Sequence, residues 1–303
     1  MLIVVNRALE LQIFGYIFAN IKLSMDYFSF HTHSSFCDGK MSAEDYVLRA
    51  IQLGMHSLGF SSHAPMILDY VWAMKRSNLE SYLHEISRLK EKYKSKINIY
   101  RSLEIDYIPG ISKPFYNWKT DCQLDYTIGS VHLVKADSNS NFWFLDGPAT
   151  NYSKGILELF DGDVKKAVSS YYHQVIDMIN IEKPDVIGHV DKVKMNNKGQ
   201  FFSENEVWYV DLLNETLGAI EKSDSIVEVN TRGLYKKKSN DLFPDSYFLE
   251  ECFRRNISVT ISSDAHHPDE LISEFDFTRE KLKGIGFEKV SVFEDEVWQE
   301  VKI

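Results

Sequence analysis

Little in this sequence supports a thiol-based architecture. It has only three cysteines, Cys37, Cys122 and Cys252, and none forms a CxxC spacing. That argues against a disulfide framework or a cysteine zinc knuckle, and the usage fits a reducing cytoplasm. Positive charge is also in deficit: 34 Lys+Arg against 44 Asp+Glu leave a net charge of −10. A general nucleic-acid binder usually shows a basic stripe, so this balance argues against that class. A small phosphorylated substrate stays open, because bound cations can invert the local field. A long apolar run is missing too. The stretch Leu2–Leu23 is rather apolar, but Arg7, Glu10, Asn20 and Lys22 interrupt it. It lacks the roughly 20 unbroken apolar residues of a membrane span, and it shows none of the clear marks of a signal peptide. No membrane association is expected. Met25 opens Met-Asp-Tyr-Phe-Ser-Phe-His, which reads as a start running straight into a strand. Residues 1–24 are therefore expected to be a mis-assigned extension or a dispensable helix. Gly/Ser/Pro-rich linkers, low-complexity tracts and repeats are absent as well, so residues 25–303 read as one domain. No feature of the sequence specifies an oligomeric state.

What is present is an alternation. Short β-rich runs lie near residues 27–33, 57–62, 98–105, 125–131, 185–189, 225–230 and 257–263. Helical patterns lie between most of them. Ser42-Ala-Glu-Asp45 reads as a capping box opening a helix that stops at Gly54. Ser77 or Asn78 caps a helix to about Tyr93, and apolar residues at helical spacing mark Asp163–Ile181, Ser203–Lys222 and Pro244–Asn256. Strands alternating with helices imply an α/β fold with a parallel sheet covered on both faces. Seven such units fit a closed barrel better than an open sheet, with catalytic groups at the strands' carboxyl ends. The long segment 133–162, with Trp143, Phe144, Tyr152 and Phe160 around Gly147-Pro148, is an insertion: either a substrate-covering lid or a small packed subdomain.

Six of the ten histidines fall at expected strand ends. His31 and His33 are two apart, so on a strand both imidazoles face the same way. Asp264 and His266 repeat the spacing after the last run. Between them His63, Glu104, His132 and His189 each finish a β-rich run. In a barrel those ends converge on one mouth, and a His/Asp/Glu mixture without thiolates suits Zn, Mn or Fe better than Ca or Mg. His56, His84 and His173 lie before a strand or within helices and read as ordinary histidines; His267 is expected to point away from His266. Asp106, Glu228 and Asn230 read as local hydrogen-bonders rather than ligands.

At these residues the chain resembles the PHP (polymerase and histidinol phosphatase) superfamily. The resemblance rests on His31-Thr-His-Ser-Ser-Phe-Cys-Asp38, Gly59-Phe-Ser-Ser-His63-Ala-Pro, Leu103-Glu104-Ile-Asp, Ile128-Gly-Ser-Val-His132, Ile187-Gly-His189-Val-Asp, Glu228-Val-Asn-Thr and Ser263-Asp264-Ala-His266. It runs from residue 26 to about 285. The Phe-Cys pair and Ser-Ser-His-Ala-Pro are similar to its monofunctional histidinol-phosphatase branch. It implies a distorted (β/α)7 TIM-like barrel with two or three divalent ions. One would take His31, His33, Glu104 and Asp264. Glu104 would bridge to a second on His132 and His189. A third would take His63, His266 and a group from the first motif. Many relatives have a histidine one position after Asp38; here that position is Gly39, and Asp38 is the natural substitute.

The chemistry expected of such a site is phosphate-monoester hydrolysis. Water bridging two cations becomes hydroxide near neutral pH and attacks phosphorus while the metals neutralise the equatorial oxygens. Arg232 and Lys194 are the expected cationic groups of the phosphate cradle. The leading reading is an L-histidinol phosphate phosphatase of histidine biosynthesis. The alternatives are a PHP phosphoesterase for another small phosphorylated metabolite, or a metal-binding module without turnover.

Overall fold

The computed structural model describes residues 27–136 and 141–303. The expectations about residues 1–24 and a start at Met25 lie outside the described residues. The β-rich runs appear as β1 (Tyr27–Ser29), β2 (Met55–Phe60), β3 (Asn98–Arg101), β4 (Glu104–Asp106) and β5 (Ile128–Ser130). A hairpin follows, β6 (Leu133–Lys135) and β7 (Phe142–Phe144), and then β8 (Val186–Ile187), β9 (Ile226–Asn230) and β10 (Val259–Ser262). The chain ends in a second hairpin, β11 (Lys289–Glu294) and β12 (Val297–Lys302).

Two parallel sheets result, ordered β1-β2-β3 and β10-β9-β8-β5-β4. Single parallel bridges join them on both sides, Thr32 to Ala265 and His63 to Glu104. The expected third run, 98–105, is split in two: β3 pairs with β2, and β4 pairs with β5. At the break, the buried Tyr82 hydroxyl stands 2.9 Å from the Phe60 carbonyl and 2.7 Å from that of Ser102.

Three of the covering helices begin at a side-chain cap, Ser42, Asp163 or Asp245; the helix expected to be capped by Ser77 or Asn78 starts after Asn78 with no side-chain cap bond. In α1 (Ala43–Gln52) Ser42 and Asp45 form the reciprocal capping box, and Tyr46, Val47 and Ala50 turn inward. In α2 (Leu79–Tyr93) the inward residues Tyr82, Ile86, Leu89 and Tyr93 keep helical spacing. Short α3 (Phe115–Asp121) and, within the segment 133–162, α4 (Ala149–Leu159) follow. Asp163 caps α5 (Val164–Glu182) by accepting from the Lys166 amide, and Lys183 in a left-handed conformation ends it just before Pro184. Then come α6 (Val207–Glu221), short α7 (Arg232–Tyr235), α8 (Ser246–Arg254), capped by Asp245, and α9 (Phe275–Ile285). No helix among the described residues is long and apolar enough to cross a membrane.

The described residues of the segment 133–162 are packed. Trp143, Tyr152 and Phe160 are all buried and in ring contact, with centroids 4.7 and 5.6 Å from Trp143. Gln174 of α5 ties the β6 end down, accepting from the Lys135 amide and donating to the Leu133 and Tyr107 carbonyls. The C-terminal hairpin lays Phe293 and Trp298 against Tyr126, and Trp298 also against Phe30. Close packing here makes Gly59 obligatory: a Cβ would lie 1.9 Å from the Tyr126 hydroxyl and 3.1 Å from the Phe30 Cα. Tyr126 is fully buried and its hydroxyl donates to the Phe30 carbonyl, so the ring cannot swing away. Gly59→Ala is expected to destabilise the fold by about 1–3 kcal/mol, seen as a lower midpoint in thermal or urea unfolding. An unchanged midpoint would show that this layer has room to spare.

Candidate metal centre

Apart from Asp38, which sits in the loop after β1, the ligand-type residues named above lie at a strand junction or just beyond the carboxyl end of a sheet strand. His31 and His33 follow β1, and His63 follows β2. Glu104 stands at the junction of β3 and β4. His132 follows β5, His189 follows β8, and Asp264 and His266 follow β10. The fold brings them together in one buried cluster, all at most 9% exposed; Asp38 is partly buried at its edge. Three overlapping sets have ligand atoms within 4.8 Å of one another: His31, His33 and Glu104; His63, Glu104 and His132; and His33, Asp38, His63 and His266.

Glu104 is the centre. Its Oε2 lies 3.2 Å from His31 Nε2, 3.4 Å from His33 Nε2 and 3.0 Å from His63 Nδ1. Its Oε1 lies 3.0 Å from His189 Nε2 and 3.6 Å from His132 Nε2, and accepts from the Ser130 hydroxyl at 2.7 Å. One carboxylate thus serves two histidine groups through separate oxygens. Burial would raise its pKa, but the imidazoles of His63, His31 and His132 hold it well below the usual carboxylate range. Asp264 Oδ1 sits 3.3 Å from His33 Nε2, 3.4 Å from His266 Nδ1 and 3.8 Å from His31 Nε2.

A second layer aims these groups. Glu228 takes His31 Nδ1 on Oε1 at 2.6 Å and the His189 backbone amide on Oε2 at 2.9 Å. With Glu228 as the acceptor, His31 Nδ1 carries a proton and its Nε2 faces the cluster. Asn230 donates to Glu228 and Asp264, at 3.1 and 3.2 Å. Asp106 accepts from the His132 amide. His189 and Asp264 both have positive φ, 21° and 50°, conformations that cost about 1–3 kcal/mol and persist where surroundings over-determine them. Glu228 holds the amide of the first, and the Arg232 guanidinium holds the carbonyl of the second at 2.7 Å. Glu228→Gln is expected to weaken metal affinity by roughly 10–100-fold, read by competition against a chelator of known affinity. An unchanged affinity would remove Glu228 from any orienting role.

The donor chemistry suits divalent metal ions. His31 Nε2 and His33 Nε2 are buried with no hydrogen-bond partner, as are Asp38 Oδ1, His132 Nδ1 and His189 Nδ1. Leaving such groups unmet costs about 1–3 kcal/mol each, and a cation answers the lone pairs directed at the cluster. The backbone also explains the departure after Asp38. A Cβ at Gly39 would fall 2.5 Å from the Ser34 backbone, so this loop admits no histidine there. Asp38 instead reaches His266 Nε2 at 3.1 Å and His33 Nδ1 at 3.6 Å. Cys37 Sγ also rests 3.4 Å from His33 Nδ1.

Over the cluster opens a cavity of about 220 Å³, lined by Asp38, His63, Glu104, His132, Asp264 and His266 and by Trp72, Phe144, Asp146, Lys192, Arg232 and Lys238. Arg232 is where it was expected. Lys194 is not, and that expectation is corrected: its ammonium is held between Asp191, at 2.8 Å, and Asp245, away from the cavity. Lys192, two residues earlier, lines the cavity instead, as does Lys238. The remaining histidines stay apart. His56 pairs with Glu294, His173 approaches Glu215, His84 sits in α2, and His267 accepts from the Asp269 amide. Phe144 belongs to the segment read as a lid or a subdomain; Trp72, Asp146, Lys192 and Lys238 were not named from the sequence. Only Lys192 had a local signal, standing three residues after His189.

An α/β fold with a buried histidine–carboxylate cluster beneath a cation-lined cavity defines a metal-dependent hydrolase type of site. The comparisons narrow the class: the PHP domain model matches residues 29–232, and the chain belongs to that family. The histidinol-phosphatase of Bacillus subtilis is 27% identical over 256 residues, covering 80% of this chain and 94% of that enzyme. A solved structure from Listeria monocytogenes bearing the hisK name superposes with a TM-score of 0.73 at 23% identity, covering 83% of this chain and 99% of that one. The Lactococcus lactis histidinol phosphate phosphatase, solved with zinc, L-histidinol and phosphate, superposes at 0.64 and 21% identity, covering 90% and 98%.

Proposed function

We propose that this chain hydrolyses L-histidinol phosphate to L-histidinol and phosphate. The observation that carries the reading is the divided Glu104 carboxylate, with His31, His33 and His63 on one oxygen and His132 and His189 on the other. It sits under a cavity that offers Arg232, Lys192 and Lys238 to a phosphate. The near-complete coverage of the Bacillus enzyme, whose name states that activity, supports the substrate. The two bridged sheets act in this reading as one distorted (β/α)7 barrel, with residues 25–303 as a single domain and 133–162 as its insertion.

Two or three divalent ions, Zn, Mn or Fe, complete the site. His31, His33, Glu104 and Asp264 would hold one, Glu104, His132 and His189 a second, and Asp38, His63 and His266 a third. When bound, such ions supply Lewis acidity and acidify water toward neutral pH. The chain's own groups do the rest. Arg232 and Lys192 hold the phosphate oxygens, while Glu228, Asn230 and Asp106 keep the ligands aimed. Trp72 covers the cluster, its ring 4.7 Å from that of His63 and 5.6 Å from that of His132, and so limits water access. The test is phosphate release from histidinol phosphate beside a panel of monoesters and diesters. A kcat/KM for histidinol phosphate no better than for a generic aryl phosphate would remove this reading.

A further inference from the structure

One carboxylate in the cavity belongs to neither the ligand groups nor the cation cradle. Asp146 follows β7 and stands two residues beyond Phe144, whose ring is stacked parallel to Trp72 with centroids 6.2 Å apart. Its Oδ2 is engaged, 2.9 Å from Lys192 Nζ and 3.6 Å from His132 Nε2. Its Oδ1 is buried and has no hydrogen-bond partner. A buried acceptor left unmet costs free energy, and this one belongs to a residue that lines the cavity.

The surroundings hold it in place. The Asn196 side-chain amide donates to the carbonyls on either side, Leu145 at 3.0 Å and Gly147 at 3.2 Å. The Leu145 amide donates to the His132 carbonyl. The backbone around Asp146 is therefore clamped to the loop after β8 and to the residue that follows β5, which is the rigid support a recognition group needs. A fixed, partly exposed carboxylate with an oxygen left unpaired, in a cavity walled by Trp72 and Phe144, is chemistry for a protonated amine. The phosphate-holding cations do not supply that contact.

We propose that Asp146 is the specificity-determining residue of this cavity, its carboxylate receiving the ammonium group of an amino-alcohol phosphate monoester. The inference rests on the histidinol phosphate reading and adds which side chain selects the substrate's nitrogen. A site built around a polar contact rejects an analogue lacking that contact far more strongly than an apolar pocket does.

The test compares kcat/KM for L-histidinol phosphate and 4-nitrophenyl phosphate in the metal-loaded enzyme and in Asp146→Asn, with metal content measured on both. The ratio of the two values is expected to fall roughly 10–100-fold in the variant with metal content retained. An unchanged ratio overturns the proposal. So does a loss of metal with both substrates falling together, which would place Asp146 in support of the ligands. Should Asp146→Asn not fold, inhibition of the wild-type enzyme by L-histidinol and by its des-amino analogue decides: roughly tenfold or tighter binding of the amine is expected, and equal binding overturns the proposal. A wild-type enzyme without preference for histidinol phosphate removes the functional reading. A wild type with the preference and a variant that keeps it remove the role of Asp146 alone.

Discussion

Glu104→Gln is expected to lower turnover by roughly three orders of magnitude and to reduce the metal content of the purified protein. The argument is geometric and electrostatic. Glutamine keeps the size and the oxygen of the side chain, but it removes the charge, and its second terminal atom is a donor. In the wild type Oε2 faces His31, His33 and His63 while Oε1 faces His132 and His189. An amide can keep its oxygen on one of those groups only; the NH₂ presented to the other cannot bind a cation. One metal position loses a ligand, and both lose the shared negative charge. Metal-derived stabilisation of a phosphoryl transition state is worth several kcal/mol, and about 4 kcal/mol corresponds to about a thousandfold in rate. Phosphate release and metal stoichiometry, measured on the same preparation, check the result. Near-normal activity in Glu104→Gln would mean that the carboxylate does not bridge.

The clustering of these histidines and carboxylates was legible because it depends on only two regularities. Strand side chains alternate with period two, which pairs His31 with His33 and Asp264 with His266, and a parallel α/β fold gathers all carboxyl ends on one side. What surrounds the ligands obeys neither rule. Lys192 and Lys194 belong to a single 3-10 turn, where the period is three, so residues two apart face different directions. One reaches the cavity and the other is taken by Asp191 and Asp245. Trp72 lies in an irregular loop whose neighbours Ile67 and Val71 are exposed, a pattern without periodicity. The β6–β7 hairpin has strands of three residues each, too short for alternation to register, and Asp146 follows it. The C-terminal hairpin turns at Asp295 and Glu296, both with positive φ, 50° and 65°. Asn-Gly or Asp-Gly would have announced that turn; an Asp-Glu pair does not. Gly39 was legible as a departure, but its reason was not, since only the fold shows that the Ser34 backbone occupies the space of a side chain there.

Arg232→Ala is expected to lower kcat/KM by about 100-fold while leaving metal content unchanged. The guanidinium lines the cavity beside Asp264 and His266, so it can meet phosphate oxygens next to the ligand cluster. Removing one preorganised charge-stabilising donor typically costs about 10²–10³ in rate. The residue has a second contact that makes metal content the deciding measurement: its Nη1 donates to the Asp264 carbonyl at 2.7 Å, across the positive-φ residue that supplies a ligand. If that contact were its main purpose, Arg232→Ala would release the Asp264 backbone and the protein would lose metal along with activity. The Asp264 side chain has other anchors, however. Asn230 donates to its Oδ2, while its Oδ1 faces the His33 and His266 rings. The Tyr235 hydroxyl lies 3.3 Å from the same carbonyl, and 2.9 Å from that of Ser263, so it can take over part of the hold. Arg232→Lys separates charge from shape. An ammonium keeps the charge but loses the planar fork that grips two oxygens at once, so it is expected to recover only part of the loss. Inhibition by inorganic phosphate should weaken in the same order, wild type, Arg232→Lys, Arg232→Ala. Equal phosphate inhibition across the three proteins would take Arg232 out of the cradle and leave Lys192 and Lys238 as its cations.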